Sequence, residues 1–222
     1  MTVAGKRIVV TGAARGIGER LAAELRARGA DVVTVDIHEG ADLRCDISDA
    51  AQVDSLFGEV GRLDGLVNNA AILPARKSSA DLTVDEWDRL FAVNVRGTFL
   101  CCRAAVSRMD RGGSIVNVAS ETAFSGSHGF AHYVASKGAV VSLTRALANE
   151  YGALGVRVNC VAPGFTPTPG SAALGTYDPA RTPLGRVMDP SDLVGTYCWL
   201  LSDDSAFVSG QTTLVNGGRV PY

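Results

Sequence analysis

Residues 7–18 read Arg7-Ile8-Val9-Val10-Thr11-Gly12-Ala13-Ala14-Arg15-Gly16-Ile17-Gly18. Positions 7–10 form a short run rich in β-branched side chains, the pattern of a fully buried strand. A glycine cluster follows at Gly12, Gly16 and Gly18, and then an apolar rhythm through Leu21, Ala22 and Leu25 that fits a helix, with Gly29 as its stop. Residues 32–35 form a second apolar run, closed by Asp36. Strand, glycine turn, helix, strand and acid is the layout of a dinucleotide-binding unit. Glycines let the backbone approach a pyrophosphate, and the start of the helix offers it unpaired N–H groups. The spacing is G-x-x-x-G-x-G rather than G-x-G-x-x-G. The reading therefore leans on the flanking strands and the acid, and a tight turn without a ligand is its rival.

Asp36 bears on the choice of coenzyme. A carboxylate at the end of the second strand accepts bonds from the ribose hydroxyls and repels a 2′-phosphate, which favours NAD. Arg15 is the counter-signal, since a basic side chain in the turn can hold a 2′-phosphate. Asp36 carries more weight, because juxtaposing two anions costs more than one exposed cation gains.

The rest of the chain continues the alternation. Residues 37–41 leave no room for a helix before a third strand over 42–45, and five extended residues reach only about 17 Å. A bare extended loop is expected there. Asp46 and Ile47 close that strand, where a side chain can meet an adenine amino group; a helix N-cap is the competing role, shared with Ser48 and Asp49. Residues 49–60 read as a helix and 63–67 as strand four, ending in Asn68-Asn69-Ala70-Ala71. The amides are read as structural brackets and cofactor contacts together. Residues 83–109 read as one long helix with Trp87, Leu90, Phe91, Val95 and Phe99 on its apolar side. Asn94 falls inside that stripe, as an internal bracket or a site residue, since a buried amide needs partners.

Residues 114–119 form strand five, with Ser120 at its carboxyl end, where open α/β sheets bind ligands. Ser120 is placed to bond a substrate oxygen. A helix over residues 129–151 contains Tyr133-Val134-Ala135-Ser136-Lys137. Residues four apart share a helix face about 6 Å apart, so phenol and ammonium can point into one cleft. A free phenol titrates near 10, and a nearby cation favours its ionised form. Strand six spans 156–161, a stiff proline-glycine loop follows from Pro163, and residues 170–182 form a small, polar flap. A helix over 189–202 and strand seven over 212–215 complete one domain, residues 1–222, without internal repeat or linker.

Composition agrees. The 222 residues suffice for one large core, and 46% hydrophobic with 20% charged residues is globular. A formal charge of −2 gives no reason to expect nucleic acid or a membrane surface. No apolar run approaches the roughly 18 residues of a membrane span. The opening residues lead into a strand pattern without a signal peptide. The five cysteines, Cys45, Cys101, Cys102, Cys160 and Cys198, include no C-x-x-C, so buried thiols in a reducing cytoplasm are expected, with neither disulfides nor a metal site.

Over nearly its whole length the sequence resembles the short-chain dehydrogenase/reductase family. The residues that carry this are Thr11-Gly12-x-x-x-Gly16-Ile17-Gly18, Asn68-Asn69-Ala70, Asn94, Ser120, Tyr133-x-x-x-Lys137 and Pro163-Gly164. The resemblance implies an α/β, Rossmann-like, doubly wound parallel sheet of seven strands flanked by helices. It implies Tyr133 as general acid-base, Ser120 positioning the substrate oxygen, Lys137 lowering the tyrosine pKa and holding the nicotinamide ribose, and Asn94 supporting a water-mediated relay. Gly12, Arg15, Gly16, Ile17, Gly18, Asp36, Asp46, Ile47, Asn68, Ala70, Tyr133, Lys137, Pro163, Thr166 and Thr168 would line the cofactor. Ser120, Thr122, Tyr133 and Phe165 would meet the substrate, with Ile72, Leu73, Glu121, Phe124, Phe130 and Tyr177 as further pocket candidates. Their mostly apolar character suggests a hydrophobic alcohol or ketone. Three departures stand out: no helix between strands two and three, Ala71 in place of a glycine, and a short flap after Pro163.

The expected activity is NAD(H)-dependent interconversion of a secondary alcohol and a ketone by a cytoplasmic homotetramer. An NADP(H)-dependent carbonyl reductase acting on an oxoacyl-type substrate and a non-catalytic cofactor sensor are the alternatives. A sugar-nucleotide epimerase or dehydratase shares the Tyr-x-x-x-Lys pair but needs a substrate lobe for which no chain remains.

Overall fold

The computed structural model describes residues 2–110, 112–175 and 177–221. Of the segments read above, Met1 and, within the flap, Thr176 fall outside these. The elements follow in the order β1 (Arg7–Thr11), α1 (Gly16–Ala27), β2 (Asp31–Asp36), β3 (Leu43–Arg44), α2 (Ala50–Val60), β4 (Gly65–Asn68) and α3 (Val84–Phe91). After a π-helical segment, Ala92–Gly97, come α4 (Thr98–Val106), β5 (Gly113–Val118), α5 (Thr122–Ser125), α6 (Ala131–Tyr151), β6 (Val156–Pro163), α7 (Ser191–Leu201) and β7 (Thr212–Val215). The seven strands form one parallel sheet in the order β3-β2-β1-β4-β5-β6-β7. The order reverses between β1 and β4, and such a switch point opens a crevice at the carboxyl ends of the strands.

Each face of the sheet buries its own core. On one side α1 and α7 supply Leu21, Leu25, Leu193, Tyr197 and Leu201 against Ile8, Val10, Val67 and Val116. On the other, α2, α4 and α6 supply Phe57, Leu100, Cys101, Cys102 and Leu147 against Val9, Leu66, Ile115 and Val158. Strands covered on both faces read as continuous apolar runs, which is why β1, β4 and β5 are visible in the sequence. All five cysteines are free and buried. No helix among the described residues is long and apolar enough to cross a membrane.

Three expectations need correction. The helix expected over 83–109 is interrupted, and its middle turns are π-helical. The extra residue in such a segment re-aims side chains. Here Asn94 turns inward and is 1% exposed, while Trp87 and Phe99, expected on the buried side, remain 36% and 37% exposed. The crossover from β2 to β3 is a bare loop but is folded back rather than extended. Asp42 and Thr34 clasp each other across it: the Asp42 N–H donates to Thr34 Oγ1 at 2.9 Å, and the Thr34 N–H donates to Asp42 Oδ2 at 2.8 Å. Strand three is accordingly only two residues long. Where it gives out, Arg26 on α1 donates to the Val32 carbonyl at 2.9 Å and pairs with Asp42 at 2.6 Å. Finally, α6 begins at Ala131 rather than 129, because Gly129 adopts a left-handed φ of 72° that ends the preceding loop.

Candidate active site

A cleft of about 1060 Å³ opens at the carboxyl ends of the strands. Its floor at one end is the turn between β1 and α1, where Gly12, Arg15, Gly16 and Ile17 line the wall. Gly12 has φ 66°, and a Cβ there would lie 2.6 Å from the Ala70 Cα, so the turn admits no side chain. The first turn of α1 has no side-chain cap, whereas Asp49 caps α2 and a Thr83–Glu86 capping box closes α3. The backbone donors at the start of α1 are thus left for an anionic ligand. An uncapped helix start beside a bare glycine turn fits the pyrophosphate of a dinucleotide.

Asp36, Asp46 and Ile47 line the same end. Asp36 Oδ2 accepts from the Ala14 N–H at 3.1 Å and Oδ1 from the His38 N–H at 3.0 Å, which fixes its carboxylate at the mouth of the turn. The helix-capping role contested between Asp46 and Asp49 goes to Asp49, which accepts from the N–H groups of Ala51 and Gln52. Asp46 instead binds Ser48 through its N–H and hydroxyl.

Two residues of the expected cofactor set do not face the cleft. Asn68 is buried, and its side-chain amide donates to Asn117 Oδ1 at 2.9 Å and Cys102 Sγ at 3.1 Å. It braces β4 against β5 and α4, because alternation along the strand turns its side chain to the buried face. Its neighbour Asn69, read with it as a bracket and a cofactor contact, lines the cleft and donates to the carbonyls of Thr11 and Gly12 at 3.1 and 2.9 Å. Gly18 also serves packing. A Cβ on it would sit 2.2 Å from the Gly12 carbonyl oxygen and 2.6 Å from Asn69 Nδ2. Ala70, Pro163, Thr166 and Thr168 line the cleft as expected, and the Thr168 Cβ lies 3.3 Å from where a Gly16 Cβ would be. The flap that follows is two short 3-10 turns, Pro169–Leu174 and Pro179–Arg181.

Ser120, Thr122, Tyr133, Lys137 and Phe165 stand together at the other end of the cleft. Ser120 Oγ accepts from the Thr122 N–H at 3.2 Å and from the Thr122 hydroxyl at 3.0 Å, and it is the polar side chain that draws the Tyr133 phenol down. Tyr133 packs edge-on against Phe130, ring centroids 5.5 Å apart. Lys137 Nζ lies 5.7 Å from the Tyr133 ring centroid. Burial dominates both groups. It pushes the phenol up to about 12, against the opposing pull of Ser120, and brings the ammonium down to about 8. Lys137 is not among the groups that move the phenol; its ammonium is turned to the Val118 carbonyl. Asn94 is a bracket: its Oδ1 accepts from the Ile72 N–H at 2.7 Å, and its amide donates to the Ile72 carbonyl and Ser136 Oγ.

Of the further pocket candidates, Phe124 packs instead against the small core of Ala119, Val140 and Val141, while the others line the cleft. Arg76, Arg89, Arg181 and Arg219 also line it and were missed; all but Arg89, which stands on α3, lie outside the long helices and strands, where no periodic signal marks them. Glu121 is 2% exposed and paired with Arg219, whose guanidinium lies over the Tyr177 ring at 5.2 Å; Tyr177 in turn stacks on Phe165 at 5.0 Å. Among the described residues no cluster of ligating side chains could hold a metal ion.

Comparison with known proteins agrees with this geometry. Residues 12–219 match the family described as enoyl-(acyl carrier protein) reductase. The chain is 37% identical to the 2,5-dichloro-2,5-cyclohexadiene-1,4-diol dehydrogenase of Sphingobium indicum, over 97% of each. A 3-ketoacyl-(acyl-carrier-protein) reductase from Brucella melitensis, solved with NADH, superposes with a TM-score of 0.93 at 32% identity, covering 99% of this chain and 100% of that one. A short-chain type dehydrogenase/reductase from Mycobacterium ulcerans gives 0.93 at 30%, covering 99% and 91%. A candidate gluconate 5-dehydrogenase from Beutenbergia cavernae, with NADP bound at low occupancy, gives 0.92 at 35%, covering 98% of both chains.

Proposed function

The chain belongs to the short-chain dehydrogenase/reductase family of oxidoreductases and takes a nicotinamide cofactor, and from that premise we propose that it interconverts a secondary alcohol and a ketone with NAD(H). The observation that carries this reading is the convergence of Ser120, Tyr133 and Lys137 in one cleft with the bare glycine turn. When bound, the cofactor accepts or returns a hydride at the nicotinamide ring. The chain's own residues do the rest. Ser120 Oγ and the Tyr133 hydroxyl hold the substrate oxygen between them. Tyr133 gives its proton to that oxygen as a ketone is reduced and takes one back as an alcohol is oxidised. Lys137, anchored on β5, supplies a positive charge beside the phenol and the ribose. Gly12 and Gly16 with the start of α1 seat the pyrophosphate, and Arg15 lies at its rim.

The preference for NAD over NADP rests on Asp36. Its carboxylate is pinned by two backbone N–H groups at the place where the adenosine ribose would lie, and it meets a 2′-phosphate as a like charge. Among the superposed relatives one carries NADH and one NADP, so the comparison leaves this choice to the chain's own carboxylate. We also propose a homotetramer. Val84, Trp87 and Phe99 are large apolar side chains exposed along α3 and α4, and a second copy would cover them. Incubation of the protein with NAD and a panel of secondary alcohols, read by the absorbance of the reduced coenzyme, tests the reading. Reduction by at least one of them, abolished in Tyr133→Phe, is expected; no reduction of NAD or NADP by any alcohol, and no oxidation of either reduced coenzyme by the matching ketones, would end it.

A further inference from the structure

The charges that line the cleft are unevenly distributed. Three carboxylates line it, and two of them, Asp36 and Asp46, stand at the β2–β3 end with the glycine turn. The third, Glu121, is next to Ser120 in the chain but is 2% exposed and held by Arg219. Away from the glycine turn with its Arg15, what the cleft offers a substrate in addition to Lys137 is therefore cationic: Arg76, Arg89, Arg181 and Arg219. Arg76 and Arg181 make no ion pair among the described residues.

Arg219 is built differently from a surface arginine. Glu121 takes one of its N–H groups, through Nη1, and the flat of the guanidinium rests on Tyr177, itself stacked on Phe165. The plane of the fork is thereby fixed from below and from one side. A guanidinium has five N–H groups, and the remaining edge keeps the paired donors that match a carboxylate. Preorganisation of this kind lowers the entropy lost on binding. A second cation, Arg76, is also fixed: it donates to Ser127 Oγ at 3.1 Å and to the His128 carbonyl, with its guanidinium 4.5 Å from the Phe130 ring centroid. Phe130 is the ring that packs against Tyr133, so Arg76 stands one side chain away from the reacting oxygen.

We propose that the substrate is a hydroxy acid, or the corresponding oxo acid, whose carboxylate is bound by Arg219 while Ser120 and Tyr133 hold the reacting oxygen. This rests on the oxidoreductase reading above and narrows it from a hydrophobic alcohol to an anionic one. The step balances as hydroxy acid plus NAD+ giving oxo acid, NADH and a proton: the carbinol C–H bond breaks with transfer of hydride to the coenzyme, and the hydroxyl proton leaves through Tyr133.

The test is a set of α-, β- and γ-hydroxy acids, each beside its own primary amide, with NAD as oxidant. The amide keeps the size and hydroxyl and removes the charge. The expected result is a kcat/KM at least about tenfold higher for the preferred acid than for its amide, the discrimination of one charged hydrogen-bonded contact. In Arg219→Gln that acid-to-amide ratio falls about ten- to a hundredfold, and Arg219→Lys recovers part of it. Arg76→Gln, on an exposed loop, lowers the ratio by a smaller factor and guards against misfolding of the Arg219 variants. If amides and neutral diols are used as well as the acids, or if Arg219→Gln lowers acid and amide alike, Arg219 is only a tether for the chain end and the inference is overturned. Failure of every alcohol, charged or neutral, to reduce either coenzyme would overturn the oxidoreductase reading and this inference with it.

Discussion

The ammonium of Lys137 donates to the carbonyl oxygen of Val118 at 2.8 Å, in a position that leaves the lysine 3% exposed. Val118 is the last residue of β5, so the sheet itself holds the charge. Burial brings the lysine from an ordinary 10.5 down to about 8. Between those values the unfolded chain binds a proton that the folded chain has lost, so folding stability rises with pH across that window. Below about 8 the cost of the buried charge is full. The difference in urea-unfolding free energy between wild type and Lys137→Met should shift toward the wild type by about 2 kcal/mol between pH 8 and 10. The Tyr133 shift has the opposite sign, but it titrates in both proteins and cancels in the difference. A flat difference would show that Lys137 titrates like an exposed lysine.

The phenol of Tyr133, pushed up to about 12 by burial, is protonated at neutral pH. As an acid it is ready for ketone reduction, and as a base it must first lose its proton. The rate of alcohol oxidation at low substrate should therefore climb by roughly tenfold per pH unit between about pH 6 and 8, while ketone reduction stays level. Initial rates in both directions across that range decide it, and equal slopes would remove Tyr133 from the proton transfer.

Replacing Tyr133 by Phe keeps the ring on Phe130 and removes only the hydroxyl. Turnover should fall by ~10² to 10⁴, with coenzyme binding, followed by quenching of protein fluorescence, within a few-fold of wild type. Retention of more than about a tenth of wild-type kcat would contradict the assignment.

Asp36→Asn removes the repulsive charge and keeps one of the two backbone hydrogen bonds, since Ala14 and His38 donate to different oxygens of Asp36 and the amide nitrogen that replaces one of them does not accept. The ratio of kcat/KM for NAD over NADP should drop by about tenfold or more, the equivalent of at least ~1.4 kcal/mol. Steady-state kinetics with both coenzymes measures it. An unchanged ratio would shift the discrimination to Arg15.

Gly18→Ala introduces a Cβ 2.2 Å from the Gly12 carbonyl oxygen. The turn has to move away from Asn69 to admit it, at a cost of about 1 to 3 kcal/mol. Thermal unfolding should show a loss of several degrees together with weaker coenzyme binding; a neutral change would mean that the turn is looser than its hydrogen bonds indicate.

The parts of this molecule that repeat a backbone period were readable in the sequence. Strands covered on both faces left apolar runs at 7–10, 32–35 and 114–119, and the glycine turn between the first two marked a dinucleotide-binding layout. The pair Tyr133 and Lys137 was readable because a helix places residues four apart on one side. What eluded the reading depends on where a side chain turns after the backbone is set. Nothing distinguishes Asn68 from Asn69 until strand alternation sends one under the sheet and the other into the cleft. The π-helical turns around Asn94 carry no compositional mark, and they shift the register between Trp87 on one side and Phe99 on the other, both of which stay partly exposed. Arg219 lies close to the chain end and reaches Glu121 across nearly a hundred positions, a distance over which no local pattern operates.

The clasp formed by Arg26 and Asp42 has a consequence for how copies of this chain avoid one another. With β3 reduced to two residues, most of β2 would present bare backbone groups to solvent, a template on which a strand of another molecule could dock. The two charged side chains occupy those groups instead: Asp42 takes the Thr34 N–H and Arg26 takes the Val32 carbonyl. They do so while exposed and paired with each other, so an incoming strand would have to displace an ion pair to gain the same hydrogen bonds. An acid and a base here do the work of a missing strand, and they keep copies of the chain from growing into an extended sheet.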